Sequence, residues 1–177
     1  MINRVVLLIW LGLSCFGLSA QELDESQYRL GSGDVIKISV FGEDDLSIET
    51  RLSQTGKINY PFLGDIQVVS LTVSELETFI YDGLKGDYLI SPSVSVSVVE
   101  YRPFFIDGEV KKPGGYPYQP GLSIDKAAAL AGGYTERASK SKITVVREVG
   151  EERVTIAGKS TDTVRPGDII TIQQSFF

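Results

Sequence analysis

The sequence predicts an α+β fold in which two small, sheet-rich units follow one another along the chain. Apolar residues alternate with polar ones over residues 35–41 and 94–99, and period-two alternation is the pattern of a half-buried strand. Two segments have helical spacing instead, near residues 72–84 and 123–131. Eighteen glycines supply turns between these short elements. The 177 residues suffice for one or two small domains with real cores.

The first twenty residues have the composition of a secretory signal peptide. Arg4 provides a positive start, the apolar stretch after it carries no charge, and small residues follow. A membrane-spanning helix needs about 20 apolar residues and usually different flanks. We therefore predict a signal peptide over residues 1–20, cleaved between Ala20 and Gln21, and a polar leader over residues 21–27.

The contents of His and Cys exclude several classes of catalytic and metal site. With no His, the chain lacks the commonest general base and the usual partner of a Ser or Cys nucleophile. The single Cys forms no internal disulfide and no thiolate metal cluster. Cys15 follows Gly-Leu-Ser, an imperfect lipoprotein cleavage box, so lipidation of Cys15 is the alternative to cleavage after Ala20. We expect no catalytic residue, no cofactor and no metal.

The first unit is expected to contain a hairpin and one helix. Residues 51–53 and 57–60 flank Gly56 and are predicted to pair, with Gly56 at positive φ. A second turn, at Pro61 and Gly64, leads into a further strand.

The helix of the first unit is predicted from its cap and its apolar stripe. Thr72 and Glu75 form a capping box. An apolar stripe at helical spacing follows, and Gly83 is the expected end of the helix.

The second unit has the element order of a β-grasp domain. A strand over residues 104–110 leads to a tight turn at Pro113 and Gly114, after which the chain returns antiparallel. Ser123 caps a helix that ends at two glycines. Three short strands are predicted after it, over residues 143–147, 153–156 and 169–172.

One phrase occurs in both units. Gly33-Asp34 in YRLGSGDVIKI and Gly167-Asp168 in VRPGDIITI each follow an apolar residue and precede alternating β-branched residues. Gly permits a sharp turn into a strand, and the Asp carboxylate accepts backbone N–H groups of such turns. We interpret the repeat as convergence on one good turn without shared ancestry, and we expect neither Asp to be catalytic.

These phrases carry a resemblance to a known family. The segments YRLGSGDVIKISVFG, LSQTGKINYPFLGDIQVVSLTVSEL and LISPSVSVSVVE resemble the polysaccharide export domain of Wza-like outer-membrane exporters. The later segments GEVKKPGGYPY, AGGY and PGD resemble the SLBB domain, a soluble ligand-binding β-grasp. The turn residues that carry both resemblances are Gly33, Asp34, Gly56, Pro61, Gly64, Gly108, Pro113, Gly114, Gly132, Gly133, Gly167 and Asp168. We assign residues 28–102 to the export domain and residues 103–177 to the SLBB domain.

The resemblance implies a function in export. Members of the family form rings that conduct capsule, slime or biofilm exopolysaccharide outward, coupled to an inner-membrane polysaccharide co-polymerase, and catalyse no chemistry. Full-length members carry further β-grasp domains and a C-terminal pore helix, whereas five residues follow Ile172 here. We therefore expect a short, homo-oligomeric, periplasmic version whose channel is completed by a separate outer-membrane protein, expected to be a β-barrel.

The acidic net charge of −6 disfavours nucleic acid as a partner.

Contact residues are less clearly marked in the sequence. Aromatic residues near the predicted domain boundary are candidates for a glycan or partner face, with ordinary packing as the alternative: Tyr101, Phe104, Phe105, Tyr116 and Tyr118. The serines of one strand face, Ser93, Ser95 and Ser97, offer further hydrogen bonds.

Two other functions are kept beside export. One is a free periplasmic module that binds a glycan or small ligand. The other is an enzyme that uses the carboxylates Glu43, Asp44 and Asp45, which we instead expect to form a solvated loop.

Cleavage after Ala20 predicts that Cys15 is dispensable for localisation. Cys15→Ala should leave the protein in the same envelope fraction, with a mature mass that begins at Gln21, because the signal peptide is removed together with residue 15. Mass spectrometry of protein purified from that fraction makes the measurement. A mature chain that begins with a lipid-modified Cys15 would contradict the prediction.

Overall fold

The computed structural model describes residues 27–150 and 152–175, and every structural statement below concerns these residues. The predicted signal peptide, its cleavage site at Ala20 and Gln21, and Cys15 lie outside them.

The first unit is built around β1, which is the middle strand of a three-stranded antiparallel sheet. The order is β2-β1-β5, from Ile48–Arg51, Val35–Val40 and Val94–Glu100. Ile36 and Ile38 of β1 are fully buried. The serine face of β5 is exposed, as its alternation predicts.

The predicted hairpin around Gly56 is wrong. The strand before Gly56, β2, pairs with β1, and β3 (Lys57–Tyr60) pairs antiparallel with β4 (Gly64–Gln67). The Gly56 carbonyl accepts the N–H groups of Val68 and Val69, which bonds the turn to the far end of the β3–β4 hairpin. The apolar strand β1 needs partners on both sides, so β2 pairs back with β1 and does not pair with β3.

Helix α1, Val73–Leu84, begins at the predicted capping box. The N–H of Glu75 donates to the Thr72 hydroxyl, and the Glu75 carboxylate accepts the N–H of Thr72 at 2.7 Å. Leu76, Ile80 and Leu84 are fully buried.

The predicted stop of α1 at Gly83 is wrong, because Gly83 lies inside the helix. Its missing side chain instead makes room for Leu63, since a Cβ on Gly83 would lie 2.8 Å from the Leu63 Cδ1 atom.

The second unit is a five-stranded sheet with α2 packed against it. The order is β7-β6-β10-β8-β9, and the central pair β6 and β10 is parallel. The strands are β6 Phe104–Gly108, β7 Gly114–Tyr116, β8 Ala138–Val149, β9 Glu152–Gly158 and β10 Ile169–Gln174. Helix α2, Ile124–Leu130, buries Ile124, Ala127 and Ala128 in the core of this unit. A β-grasp is a sheet that packs around one helix and whose first and last strands form a parallel pair. The second unit has this arrangement, so the predicted α+β fold is confirmed.

The last three strands are longer than predicted. β8 has 12 residues where the alternation marks only residues 143–147. The residues that the prediction misses are 138–142 and 148–149, and most of them are polar or exposed, so little apolar patterning marks them.

The same substitution at the N-cap of α1 and inside the helix should have different effects. Thr72→Ala removes the cap and should lower the free energy of unfolding by about 1 kcal/mol. Thr78→Ala, inside the helix, should leave the free energy of unfolding unchanged or slightly higher, because the exposed Thr78 hydroxyl only donates back to the Ser74 carbonyl. Urea denaturation followed by circular dichroism measures both. Equal losses in the two variants would show that the capping box does not stabilise α1.

Candidate functional site

The repeated Gly-Asp phrase forms the same turn in both units. In residues 31–34 the Asp34 carboxylate accepts the N–H of Gly31 at 2.8 Å, and in residues 165–168 the Asp168 carboxylate accepts the N–H of Arg165 at 2.7 Å. Gly33 and Gly167 have φ values of +98° and +84°, which L side chains rarely adopt. We call these segments the two Gly–Asp turns.

The two turns also bond to neighbouring segments in the same way. The Gly33 N–H donates to the Leu52 carbonyl, and the Leu52 N–H donates to the Asp34 carbonyl, each at 2.8 Å. In the second unit the Gly167 N–H donates to the Pro103 carbonyl at 3.2 Å, and the Asp168 carbonyl accepts the N–H of Phe105 at 2.8 Å.

Each buried carboxylate has an arginine partner. Asp168 accepts two bonds from Arg147, from Nε at 2.8 Å and from Nη2 at 2.6 Å. Asp34 accepts the backbone N–H of Arg102 at 2.8 Å and its Nη1 at 3.3 Å. Both carboxylates are almost fully buried, so these bonds offset a large desolvation cost.

Arg102 lies between the two Gly–Asp turns. A Cβ on Gly31 would lie 1.8 Å from Arg102 Nη1, and a Cβ on Gly167 would lie 2.7 Å from Arg102 Nε. The side chain therefore packs against both turns, where only glycine leaves room for it. Within the described part of the chain, the buried Nε of Arg102 has no hydrogen-bond acceptor.

Aromatic rings continue this joint. Tyr28 and Tyr101 meet edge to face with ring centroids 5.1 Å apart, and Tyr101 meets Tyr118 in the same way at 5.3 Å. Burial, and then the neighbouring Asp34 carboxylate, raise the pKa of Tyr28 far above its usual value. The Tyr28 hydroxyl therefore stays protonated and donates to Asp34 at 2.6 Å.

An open cleft of about 880 Å³ lies beside the joint. We call it the inter-unit cleft, since both Gly–Asp turns line it. Its described wall contains four arginines and one carboxylate, namely Arg29, Arg102, Arg153, Arg165 and Glu148. Apolar side chains form another part of the wall and are partly exposed: Phe105, Val149 and Ile169.

The predicted contact residues do not form one surface. Phe104 is fully buried and stacks on Tyr116, and Tyr118 is 8 % exposed, so the packing alternative is correct for Phe104 and Tyr118. Tyr101 and Tyr116 are partly buried, and Phe105 is 48 % exposed in the cleft wall.

Other predicted residues lie elsewhere. Ten of the predicted turn residues are absent from the cleft wall: Asp34, Gly56, Pro61, Gly64, Gly108, Pro113, Gly114, Gly132, Gly133 and Asp168. Glu43, Asp44 and Asp45 are exposed, as expected for a solvated loop. The described residues contain no group of three or more potential metal ligands, and no described helix is long and apolar enough to cross a membrane.

Sequence reasoning missed the arginines. Arg102 lies 68 residues from Asp34 in the sequence, and Arg147 lies 21 residues from Asp168. The available signal was the burial expected for an Asp between a turn and an apolar strand, because such a carboxylate requires a cation or several N–H donors.

Arg102→Met should loosen the joint. The variant keeps the aliphatic stem but removes a charged donor from a buried carboxylate, and we expect a loss of about 2 kcal/mol in the free energy of unfolding. Arg153→Met is the matched control, since Arg153 pairs with Glu148 on the exposed surface, and it should change stability by less than about 0.5 kcal/mol. Urea denaturation measures both, and limited proteolysis should show faster cleavage near residue 102 in the first variant only. Equal stability of the two variants would contradict the role of Arg102.

Known proteins are similar to both units. Residues 22–99 match the family described as polysaccharide biosynthesis/export protein, and residues 103–157 match the SLBB domain. The exopolysaccharide production protein ExoF of Rhizobium meliloti is 31% identical over 179 residues, which cover 92% of this chain and 41% of that protein. The EPS I polysaccharide export outer membrane protein EpsA of Ralstonia nicotianae is 25% identical over 83% of this chain and 47% of its own length.

The chain thus spans less than half the length of these curated relatives. Its two units match the two domains in the order that the sequence motifs predict. It carries a polysaccharide biosynthesis/export domain followed by an SLBB domain, and this pair of domains matches the Wza-like family of polysaccharide export proteins.

Proposed function

We propose that the protein is a noncatalytic periplasmic component of a polysaccharide export complex, and that its copies form or complete an oligomeric conduit towards the outer membrane. The observation that carries this proposal is the match of both units, in order, to the export and SLBB domains. The names of the relatives, an exopolysaccharide production protein and a polysaccharide export outer membrane protein, support it.

The joint between the units suits a repeated building block. Arg102 and the aromatic contacts from Tyr28 to Tyr118 connect the units through buried groups. A ring requires that each copy presents the same two faces at a constant angle, and a flexible linker between the units would not maintain that angle. We therefore propose residues 28–102 and 103–177 as two domains that act as one body, and their separate hydrophobic cores support this division.

The state of the buried carboxylates supports a noncatalytic function. Asp34 and Asp168 are the described carboxylates that are almost fully buried, and each accepts bonds from an arginine and from backbone N–H groups. Donors of the protein itself therefore already occupy these carboxylate oxygens, whereas a general base needs an oxygen within reach of a substrate proton.

The partners follow from the proposed function. We propose contacts with further copies of the chain, with an inner-membrane polysaccharide co-polymerase and with a separate outer-membrane protein. The predicted signal peptide provides the route to the periplasm.

The second candidate is a free periplasmic module that binds glycans. The inter-unit cleft favours it, because a concave site of about 880 Å³ is of the size that ligands occupy. A free module predicts that polysaccharide still reaches the cell surface when the gene is deleted.

Deletion of the gene should abolish surface polysaccharide while its synthesis continues. Total and surface polysaccharide are measured separately, by chemical assay of whole cells and of the material released from the surface. The wild-type gene should restore export, and a version without residues 2–20 should fail because it stays in the cytoplasm. Normal surface polysaccharide in the deletion strain would overturn the proposed function and favour the free module.

A further inference from the structure

We propose that the inter-unit cleft binds carboxylate-bearing segments of a polysaccharide, with Arg165 as the main cation and Phe105 as a packing surface. This inference rests on the proposed function and names the class of sugar chain that the protein contacts. It differs from the aromatic surface that the sequence analysis predicts, because it uses arginines from both units.

The charge of the cleft is opposite to that of the chain. The whole sequence has 23 acidic and 17 basic residues, yet the described wall of the cleft contains four arginines and one carboxylate. A wall with the average charge composition of the chain would be acidic. The reversal indicates an anionic ligand, because a cleft lined by one sign of charge concentrates ligands of the opposite sign.

The four arginines differ in their availability. Arg102 is already bonded to the buried Asp34 carboxylate. Arg29 and Arg153 form ion pairs with Glu75 and Glu148, and all four of these side chains are about half exposed or more. Exposed pairs of this kind contribute little stability and exchange partners readily.

Arg165 is the arginine best placed to bind a ligand. Its backbone N–H is fixed by Asp168, so the base of the side chain is held in the second Gly–Asp turn. Among the described residues, no group accepts a hydrogen bond from its guanidinium, and the residue is exposed at the cleft. A guanidinium binds a carboxylate through two parallel bonds, which gives both strength and orientation.

The rest of the wall suits a sugar chain. Phe105 and Val149 are 48 % and 55 % exposed, and they offer apolar surface to the carbon faces of sugar rings. Gln54 and Ser32 are exposed in the same wall, and their amide and hydroxyl groups both donate and accept hydrogen bonds. Apolar surface with a few polar groups is the usual composition of a ligand site.

A second copy of the chain is the competing occupant. The acidic loop at Glu43, Asp44 and Asp45, next to the exposed Phe41, has the charge to enter the cleft of a neighbour. The amide and hydroxyl groups along the wall favour a polyhydroxylated chain over this loop, and the experiment separates the two.

The test is a ¹H–¹⁵N chemical-shift titration of the mature protein with tetragalacturonate, with maltotetraose as the uncharged sugar. Tetragalacturonate should shift the amides of both Gly–Asp turns and bind at least about tenfold more tightly than maltotetraose. Arg165→Gln should weaken its binding about tenfold. Arg137→Gln, an exposed arginine outside the cleft wall, should leave the affinity unchanged.

Three results would overturn the inference. The first is equal affinity of the wild-type protein for the two sugars, and the second is an unchanged affinity in Arg165→Gln. The third is that the wild-type protein binds neither sugar while Arg165→Gln changes the oligomeric state. The last result would assign the cleft to an interface between copies. Export in cells separates this inference from the proposed function: if deletion abolishes export and Arg165→Gln restores it in full while no acidic sugar binds, export stands and the ligand of the cleft is wrong.

Discussion

The joint between the two units depends on the burial of Arg102. Its guanidinium partly neutralises Asp34, its backbone N–H bonds the same carboxylate, and its side chain occupies the space that Gly31 and Gly167 leave open. The next residue, Pro103, accepts a hydrogen bond from the second Gly–Asp turn. The segment that connects β5 to β6 is therefore itself part of the interface. Domains joined by an exposed linker usually move relative to one another. In this protein, separation of the two units would expose one side of the Arg102 side chain to solvent.

This constraint gives a physical reason for the repeated phrase. Each unit needs a sharp turn into its central strand, and each turn buries a carboxylate that bonds the turn's own backbone. The strands after the two turns are also buried in the same way. Ile36 and Ile170 are each the second residue after the Asp of the turn, and both are fully buried. Both turns contact Arg102, so the same turn structure leads the chain into each sheet and also forms the contact between the two units.

The sequence predicted local features well and nonlocal ones poorly. Both helix caps and the β-grasp order depend on neighbouring residues, and the structure confirms them. The error at Gly56 arose because β2 has two possible partners, the strand before it and the strand after it, and it pairs with β1 across the longer loop of residues 41–47. The error at Gly83 arose because a glycine that ends a helix and a glycine that admits a neighbouring side chain look alike in a sequence.

The candidate site shows the same division between local and nonlocal information. Phe104 and Phe105 are adjacent in one strand, so they must point to opposite faces, and alternation alone excludes a surface that contains both. The arginine partners of Asp34 and Asp168 come from other elements, and no spacing in the sequence marks them.

The arrangement of charges in the cleft also fits a protein that guides a polymer without retaining it. A conduit requires contacts that form and break many times as one chain passes. Arg29 and Arg153 face carboxylates of their own protein, so an anionic sugar has to compete with Glu75 and Glu148 for each of them. This competition makes each exchange nearly neutral in free energy, because one exposed ion pair replaces another. Only Arg165 provides a charge without a described protein acceptor, and a single exposed ion pair in salt solution is weak. The proposed cleft therefore attracts an acidic chain and releases it, which tight binding through several unpaired arginines would prevent.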